Sequence, residues 1–505
     1  MTADTARILP GLHGAPEQVD LVVIGLGVTG AGVALDAASR GLRVLAIDAH
    51  DVAFGTSRWS SKLIHGGLRY LASLQLGIAY ESAVERGILM ERTAPHLTRP
   101  LPWLLPLSTS VSHTQATLAA AGFRTGDLLR LAARTRRDTL PRPRRVSRTE
   151  AMRLAPALRS AGLRGGLINW DGQLEDDARL VTCLARTAAA HGAHVHTRVR
   201  VLEATGTAVQ LRDELTGETR TVTTRAVVNA AGVWAGDLVE EIRLRPSRGT
   251  HVVLRAETIP GLRSALTVPI PGSTSRYVFA LPQSDGTIFV GLTDEPVDGE
   301  IPDVPQPTEG EIGFLLDVLA AALERPVKRS DVVGAFAGLR PLLDADGSTS
   351  DLSRKHAVLT SRRGVVTVVG GKLTTYRQMA EDAVDATGLT TRRCRTRDLP
   401  LLGAAPRDVL ARIEEPARLV RRFGTEARFV IDEAARATGL PEEELVAPGP
   451  AGITLAELVF GVTHEGAVDV DDLLDRRTRV GLVPEDREAA LPLAERALAL
   501  AGARL

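Results

Sequence analysis

The residues that most clearly suggest chemistry lie near the start of the chain. Gly25-Leu-Gly27-Val-Thr-Gly30 is followed eighteen positions later by an acid, Asp48. Three glycines at this spacing suit a phosphate cradle. Gly25 allows a tight turn, Gly27 lets the backbone approach a pyrophosphate, and Gly30 lets a helix lie close to a strand. The phosphates would sit at a helix N-terminus, and the Asp48 carboxylate would accept hydrogens from ribose hydroxyls. Such work needs a strand before the glycines, a helix after them and a second strand ending at the acid. Leu21-Val-Val-Ile24, the apolar spacing of Val33, Ala34, Ala37 and Ala38 before Gly41, and Arg43-Val-Leu-Ala-Ile47 supply all three in order. A dinucleotide is the expected ligand.

The stretch Gly55 to Tyr70 bears on which dinucleotide. It holds hydroxyls at Thr56, Ser57, Ser60 and Ser61, with Lys62, His65 and the pair Gly66-Gly67, and Leu63, Ile64 and Leu68 are interleaved with them. Hydroxyls and backbone N–H groups of this kind can wrap an extended polar ligand. Two later segments, Ala226 to Gly232 and Val365 to Lys372, also run from strand to glycine and would reach the same crevice at the carboxyl ends of parallel strands. No second GxGxxG is present. One ligand touched by early, middle and late chain points to enclosed FAD rather than exchanging NAD.

Ser60-Ser-Lys-Leu-Ile-His-Gly-Gly-Leu-Arg-Tyr-Leu71, Gly338-Leu-Arg-Pro-Leu342 and Gly370-Gly-Lys-Leu-Thr-Thr-Tyr-Arg377 closely resemble the FAD-dependent (aerobic) glycerol-3-phosphate dehydrogenases. Asp171 to Leu180 and Asp472 to Arg479 add to the likeness, which runs from about residue 18 to 480. The resemblance implies substrate contacts at Arg69, Tyr70, Arg354 and Lys372, and catalytic roles for His251 and Arg340. It implies FAD contacts at Gly25, Gly27, Gly30, Asp48, Thr56, Ser57, Ser60, Ser61, Lys62, Leu63, His65, Val199, Ala230, Gly232, Gly371, Lys372, Leu373 and Thr374. A phosphorylated substrate needs several cations, because burying its charge unpaired is costly and guanidinium matches phosphate oxygens. His251, with an ordinary pKa near ~6.5, is the expected base, or else it only hydrogen-bonds substrate or flavin. No metal site is expected.

At 505 residues the chain exceeds one core, so more than one domain is expected. The expected fold is α/β with an α+β cap. A Rossmann-like FAD-binding domain would carry an antiparallel-sheet substrate domain, followed by a C-terminal helical domain. The oxidoreductase would span 18–398, with FAD-binding parts at about 18–110, 165–245 and 330–390 and the cap at about 245–330. Residues 399–505 would form the helical domain, and residues 1–17 a loose lead-in. Ser284-Asp-Gly286 signals a hairpin in the cap, and Thr454 with Glu457 a helix-capping box.

Lys and Arg (61) balance Asp and Glu (61), so no global field recruits nucleic acid. Two cysteines, Cys183 and Cys394, are too few for a disulfide framework or an iron–sulfur cluster, which argues against the anaerobic dehydrogenase relatives. The longest apolar run, Leu21 to Leu35, is too short to cross a bilayer. Residues 124–148 hold nine Arg against Asp127 and Asp138. That stretch is either a solvated basic surface or a docking patch for anionic lipid. The expectation is a cytoplasmic flavoenzyme, peripheral on the inner face of the cell membrane. It would oxidise sn-glycerol 3-phosphate to dihydroxyacetone phosphate and pass electrons to membrane quinone, with a homodimer open. An O₂-using oxidase, an amino-acid or amine oxidase of the same fold and a flavin-binding protein with a dead site are the rivals.

Overall fold

The computed structural model describes residues 6–67, 75–273, 276–344 and 356–502. Its first sheet has seven strands in the order Leu9–Pro10, His194–Thr197, Val44–Ile47, Leu21–Ile24, Ala226–Asn229, Val366–Val369 and Ala357–Thr360. All neighbours are parallel except the last pair. The central strands are apolar on both faces because both are covered. Leu21, Val23, Val44 and Ala46 pack toward the helices Val28–Ser39, Asp177–Ala190 and Tyr376–Ala386. Val22, Ile24, Leu45 and Ile47 pack the other way, on the antiparallel meander Val199–Ala204, Ala208–Asp213 and Thr219–Thr223. The lead-in is not loose from residue 6 onward: Ile8 and Leu12 are buried, and Leu9–Pro10 extends the parallel sheet.

The second sheet has ten strands and is antiparallel except where Ala265–Pro269 meets Thr98–Pro106. Ser247–Arg255, Tyr277–Pro282 and Thr287–Gly291 lie in the expected cap span, and Tyr277–Pro282 pairs with Thr287–Gly291 as a hairpin. Leu63–Ile64, Thr98–Pro106, Gly166–Leu174 and Val332–Arg340 also belong to this sheet, so it draws on chain well outside 245–330. Helix Glu309–Ala320 covers one face with Ile312, Leu315 and Leu319.

The C-terminal helices have their own core around Val430, Leu458, Phe460 and Leu474. Helix Leu455–Glu465 begins at the expected Thr454–Glu457 capping box and stops at left-handed Gly466. What joins this unit to the rest is buried charge. Asp51 accepts from Arg476 Nε (2.7 Å) and from both terminal nitrogens of Arg477 (2.8 Å each). Arg179 pairs with Glu465, Arg186 with Glu426, and Arg422 with Asp176. Burial alone would raise the Asp51 pKa, but the two guanidiniums overcome it and hold the group far below the ordinary carboxylate value.

Asp51→Asn removes the carboxylate that two buried guanidiniums share, although Asp472 and Glu465 still lie beside them, and should cost about 3–5 kcal/mol, read as a loss of stability in chemical denaturation. Because the Asp51 pKa is depressed, its contribution is complete above about pH 4 and disappears only in stronger acid. A variant as stable as the parent at neutral pH would show that the pairs are dispensable.

Candidate active site

Four strands end side by side on one edge of the parallel sheet, and each delivers a site segment. Leu21–Ile24 leads to Gly25, Val44–Ile47 to Asp48, Ala226–Asn229 to Ala230–Gly232, and Val366–Val369 to Gly370–Gly371. The expected convergence of early, middle and late chain is observed.

The glycine loop has the shape a pyrophosphate needs. A Cβ on Gly30 would lie 1.8 Å from the Gly25 carbonyl oxygen, so only glycine lets the helix start this close. Gly25 has φ +96°, and a Cβ there would lie 2.7 Å from the Ala230 carbonyl oxygen. Gly27 is the N-cap of helix Val28–Ser39; it offers no side-chain cap, and the first turn holds no acid. The helix N-terminus is therefore built for an anion. Ser57 Oγ accepts from Val28 N–H at 2.9 Å and lines the same spot. Asp48 accepts from Leu26 N–H (2.7 Å) and His50 N–H (2.9 Å), and its carbonyl accepts from Val199 N–H (2.7 Å). Burial outweighs the two N–H donors and pushes the Asp48 pKa up to about 6.

The loop after this cradle ties it to the second sheet. Thr56 Oγ1 donates to Leu339 O at 2.6 Å, and Gly338 lies against Trp59. Ser60 N–H and Lys62 Nζ both donate to Asp177 Oδ2 at 2.9 Å, and Lys62 Nζ also donates to Arg58 O. The Lys62 ammonium is thus engaged with Asp177 inside the protein. Leu63 pairs with Gln173 in the second sheet.

His251 and Arg340 share a face of that sheet. Their strands are antiparallel with Ser247 opposite Arg340, Gly249 opposite Gly338 and His251 opposite Phe336. Alternate residues point the same way, so the two side chains stand along one face with glycines between. A Cβ on Gly249 would lie 2.2 Å from an Arg340 terminal nitrogen, so glycine makes room for the guanidinium. Arg340 is held by Asp294 (3.1 Å), Ser247 Oγ (3.3 Å) and Thr293 O (3.2 Å). His251 Nε2 meets Ser61 Oγ at 2.7 Å. Burial, then Lys62 and then Arg340, pull the His251 pKa down to about 3. The ordinary value expected from sequence does not hold, and the imidazole is neutral at neutral pH.

Lys372 starts the turn Leu373–Thr375, where Thr374 is buried, and its Nζ donates to Ser82 Oγ at 2.8 Å. A Cβ on Gly67 would also touch Ser82, so Lys372 stands beside the His65-Gly66-Gly67 turn. That turn is anchored by Asp171, which accepts from Gly66 N–H (2.9 Å) and Arg86 (2.7 Å). Arg69, Tyr70 and Arg354 lie outside the described residues. Sequence reasoning gave no role to Asp177, Asp294 or Asp171. Two of the three stand in the Asp171-to-Leu180 motif, which was the available signal. No group of His, Cys, Asp and Glu suited to a metal ion occurs among the described residues.

A glycine cradle on a parallel edge, faced by a cap sheet carrying His251 and Arg340, defines a dinucleotide-dependent oxidoreductase. Residues 20–377 match the family model "FAD dependent oxidoreductase", and residues 394–505 match "C-terminal domain of alpha-glycerophosphate oxidase". The chain is 54% identical over 489 residues to glycerol-3-phosphate dehydrogenase 1 of Mycobacterium tuberculosis, covering 94% of each chain. It superimposes on the Bacillus halodurans glycerol-3-phosphate dehydrogenase complexed with FAD with a TM-score of 0.72 and 28% identity, over 97% of this chain and 92% of that one. L-alpha-glycerophosphate oxidase from Mycoplasma pneumoniae shares the fold, with a TM-score of 0.58 and 17% identity over 76% of this chain and 99% of that one. The protein belongs to the FAD-dependent glycerol-3-phosphate dehydrogenase family.

FAD is the cofactor, and the glycine cradle fits it. The ribose contact expected at Asp48 needs the ionised carboxylate, so FAD affinity should fall as the pH drops through about 6. Fluorescence of released FAD against pH measures this. Asp48→Asn should bind more weakly and lose the acid dependence; a variant that keeps both would remove Asp48 from the ribose.

Proposed function

We propose that the protein oxidises sn-glycerol 3-phosphate to dihydroxyacetone phosphate and passes the electrons to a membrane quinone. The observation that carries this reading is the placement of His251 and Arg340 on one sheet face, joined through Ser61 and Thr56 to the dinucleotide cradle. Bound FAD supplies the two-electron acceptor. The rest falls to the chain's own groups. Arg340, steadied by Asp294, stabilises negative charge developing on the C2 oxygen. His251, neutral in its buried pocket, receives the hydroxyl proton. Lys372, with Arg69 and Arg354, takes the phosphate, whose two charges need several cations, and Tyr70 contacts the substrate beside them.

Arg340→Ala removes a charge-assisted contact worth about 1.5–3 kcal/mol, so kcat/KM should fall from tenfold to over a hundredfold. Anaerobic bleaching of the flavin band by glycerol 3-phosphate reads the same step directly. Parent protein that keeps its colour would remove the reading, and a variant within twofold of the parent would remove Arg340 from it. Peroxide yield in air against turnover with a quinone analogue separates the dehydrogenase from an oxidase.

A lipid-soluble acceptor requires contact with a bilayer. No helix among the described residues is long and apolar enough to cross a membrane. Helix His113–Ala132 instead exposes a stripe bearing Leu118 (67% exposed), Leu128 (64%) and Leu131, and Leu76 and Tyr80 of the adjacent helix Leu76–Ile88 are exposed as well. Arg124, Arg134, Arg136 and Arg137 are exposed around it. Not every basic residue of 124–148 is available. Arg130 is buried on Asp127 and the Thr135 carbonyl, and Arg144 pairs with Glu150. In this proposal the leucine stripe enters the headgroup boundary and the exposed arginines meet anionic lipid, Arg136 while also paired with Asp138. Leu118→Glu with Leu128→Glu should abolish co-sedimentation with anionic vesicles while the flavin spectrum stays unchanged; undiminished binding would place the contact elsewhere.

A further inference from the structure

His251 has no direct polar exit toward a substrate. Its side chain is buried, with the residue only 2% exposed. The ring stacks on Phe336, centroids 4.8 Å apart and planes 11° from parallel. Its edge lies against Gly291, where a Cβ would come within 2.3 Å of Cδ2. Nδ1 is buried without a hydrogen-bond partner. Nε2 meets the Ser61 hydroxyl, and Ser61 itself is only half-buried.

Ser61 is held on both sides by one carboxylate. Ser60 N–H and Lys62 Nζ donate to the same oxygen of Asp177, and Ser60 Oγ accepts from Lys62 N–H at 3.0 Å. Neither neighbour can shift without giving up its contact with Asp177, a backbone hydrogen bond for Ser60 and a buried ion pair for Lys62, so the Ser61 hydroxyl is aimed at the imidazole by fixed backbone. The depressed His251 pKa keeps the ring neutral and able to accept.

We propose that Ser61 is the proton relay of this site, accepting the C2 hydroxyl proton of the substrate while passing its own proton to His251 Nε2. The inference rests on the glycerol 3-phosphate reading above. The substrate O–H bond breaks as a new Ser61 O–H forms, and the old Ser61 O–H breaks as Nε2–H forms. The C2–H bond leaves with both electrons as hydride to bound FAD, and the oxygen lone pair closes the carbonyl. The substrate loses one hydride and one proton, and the proton ends on His251. Asp177 is a positioning residue for the relay.

The test compares flavin reduction by glycerol 3-phosphate in anaerobic stopped flow for holoenzyme and variants. Ser61→Ala should slow reduction by about 10²-fold, the usual worth of one proton-transfer group, with FAD content and substrate Kd unchanged. Ser61→Thr, which restores a hydroxyl, should recover most of the rate. The double variant Ser61→Ala/His251→Ala should be no slower than the slower single, because the two act as one unit. A second readout does not use turnover: ¹⁵N-histidine NMR of the resting holoenzyme should show His251 protonated on Nδ1 and bare at Nε2. Ser61→Ala reduced within twofold of the parent, multiplicative losses in the double variant, or a proton on Nε2 would each overturn the relay. Loss of FAD from Ser61→Ala would make Ser61 a cofactor contact instead. Parent flavin that the substrate does not bleach would overturn the activity and the relay together, whereas a bleached parent with an unimpaired Ser61→Ala would overturn the relay alone.

Discussion

A single buried ion pair fixes the relation between the cofactor cradle and the catalytic face. Lys62 is 1% exposed and Asp177 likewise, and their contact at 2.9 Å lies where water cannot substitute for either. Burial lowers the Lys62 pKa, and Asp177 and then Asp176 oppose that shift. Lys62 also adopts a left-handed backbone, φ +55°, which costs a side-chain-bearing residue roughly 1–2 kcal/mol. Glycine would avoid that cost but could not reach Asp177. Within six residues this loop places Thr56 on the strand that carries Arg340, Ser57 on the first helix, and Ser61 on His251. Were the pair broken, all three placements would loosen together, because a stranded buried charge pulls its backbone toward water.

The same principle extends to the whole molecule. The chain is formally neutral with 61 charges of each sign, yet many arginines are inside. Arg179, Arg186, Arg422 and Arg477 are all buried, and each has a carboxylate across the boundary between the oxidoreductase and the C-terminal helices or within it. Asp51 stands three residues after Asp48, so the C-terminal Arg476 and Arg477 steady the segment that carries Asp48. Arg198, just before Val199, is drawn to Asp469 and Asp472 in the same way. The helical domain therefore braces one side of the cofactor cleft through ion pairs that only a correctly docked domain can satisfy.

What could be read from the sequence was what lies in short, contiguous signals. The strand–glycine–helix–strand order around Gly25 to Asp48 needs only local geometry, and the structure reproduces it. Thr454 and Glu457 likewise announce their helix at a spacing of three residues. Sheet membership was harder, because Thr98–Pro106 and Gly166–Leu174 are separated by 59 residues and nothing in either names its partner. Helix His113–Ala132 was missed since its buried stripe is narrow, with Arg130 its only buried residue. The charge count over 124–148 could not show that Arg130 folds inward. Nor could the type of residue at 251 show its environment: stacking on Phe336 and two nearby cations are long-range facts.

Those cations bear directly on how a histidine with a pKa of about 3 can serve as a base. In the resting site Lys62 and Arg340 oppose a third positive charge, and burial adds to their effect. A substrate carrying two negative charges reverses the local balance, and opposite charges nearby favour the protonated imidazole. In the proposed reaction, basicity therefore rises when the substrate arrives and falls again when the product leaves, which helps the proton depart. In the same proposal Arg340 acts in the complementary direction, favouring loss of that proton by stabilising the oxygen that releases it. Neither group needs an unusual resting pKa near neutrality for this to work. It is enough that the sheet holds both side chains on one face, with only glycines between them.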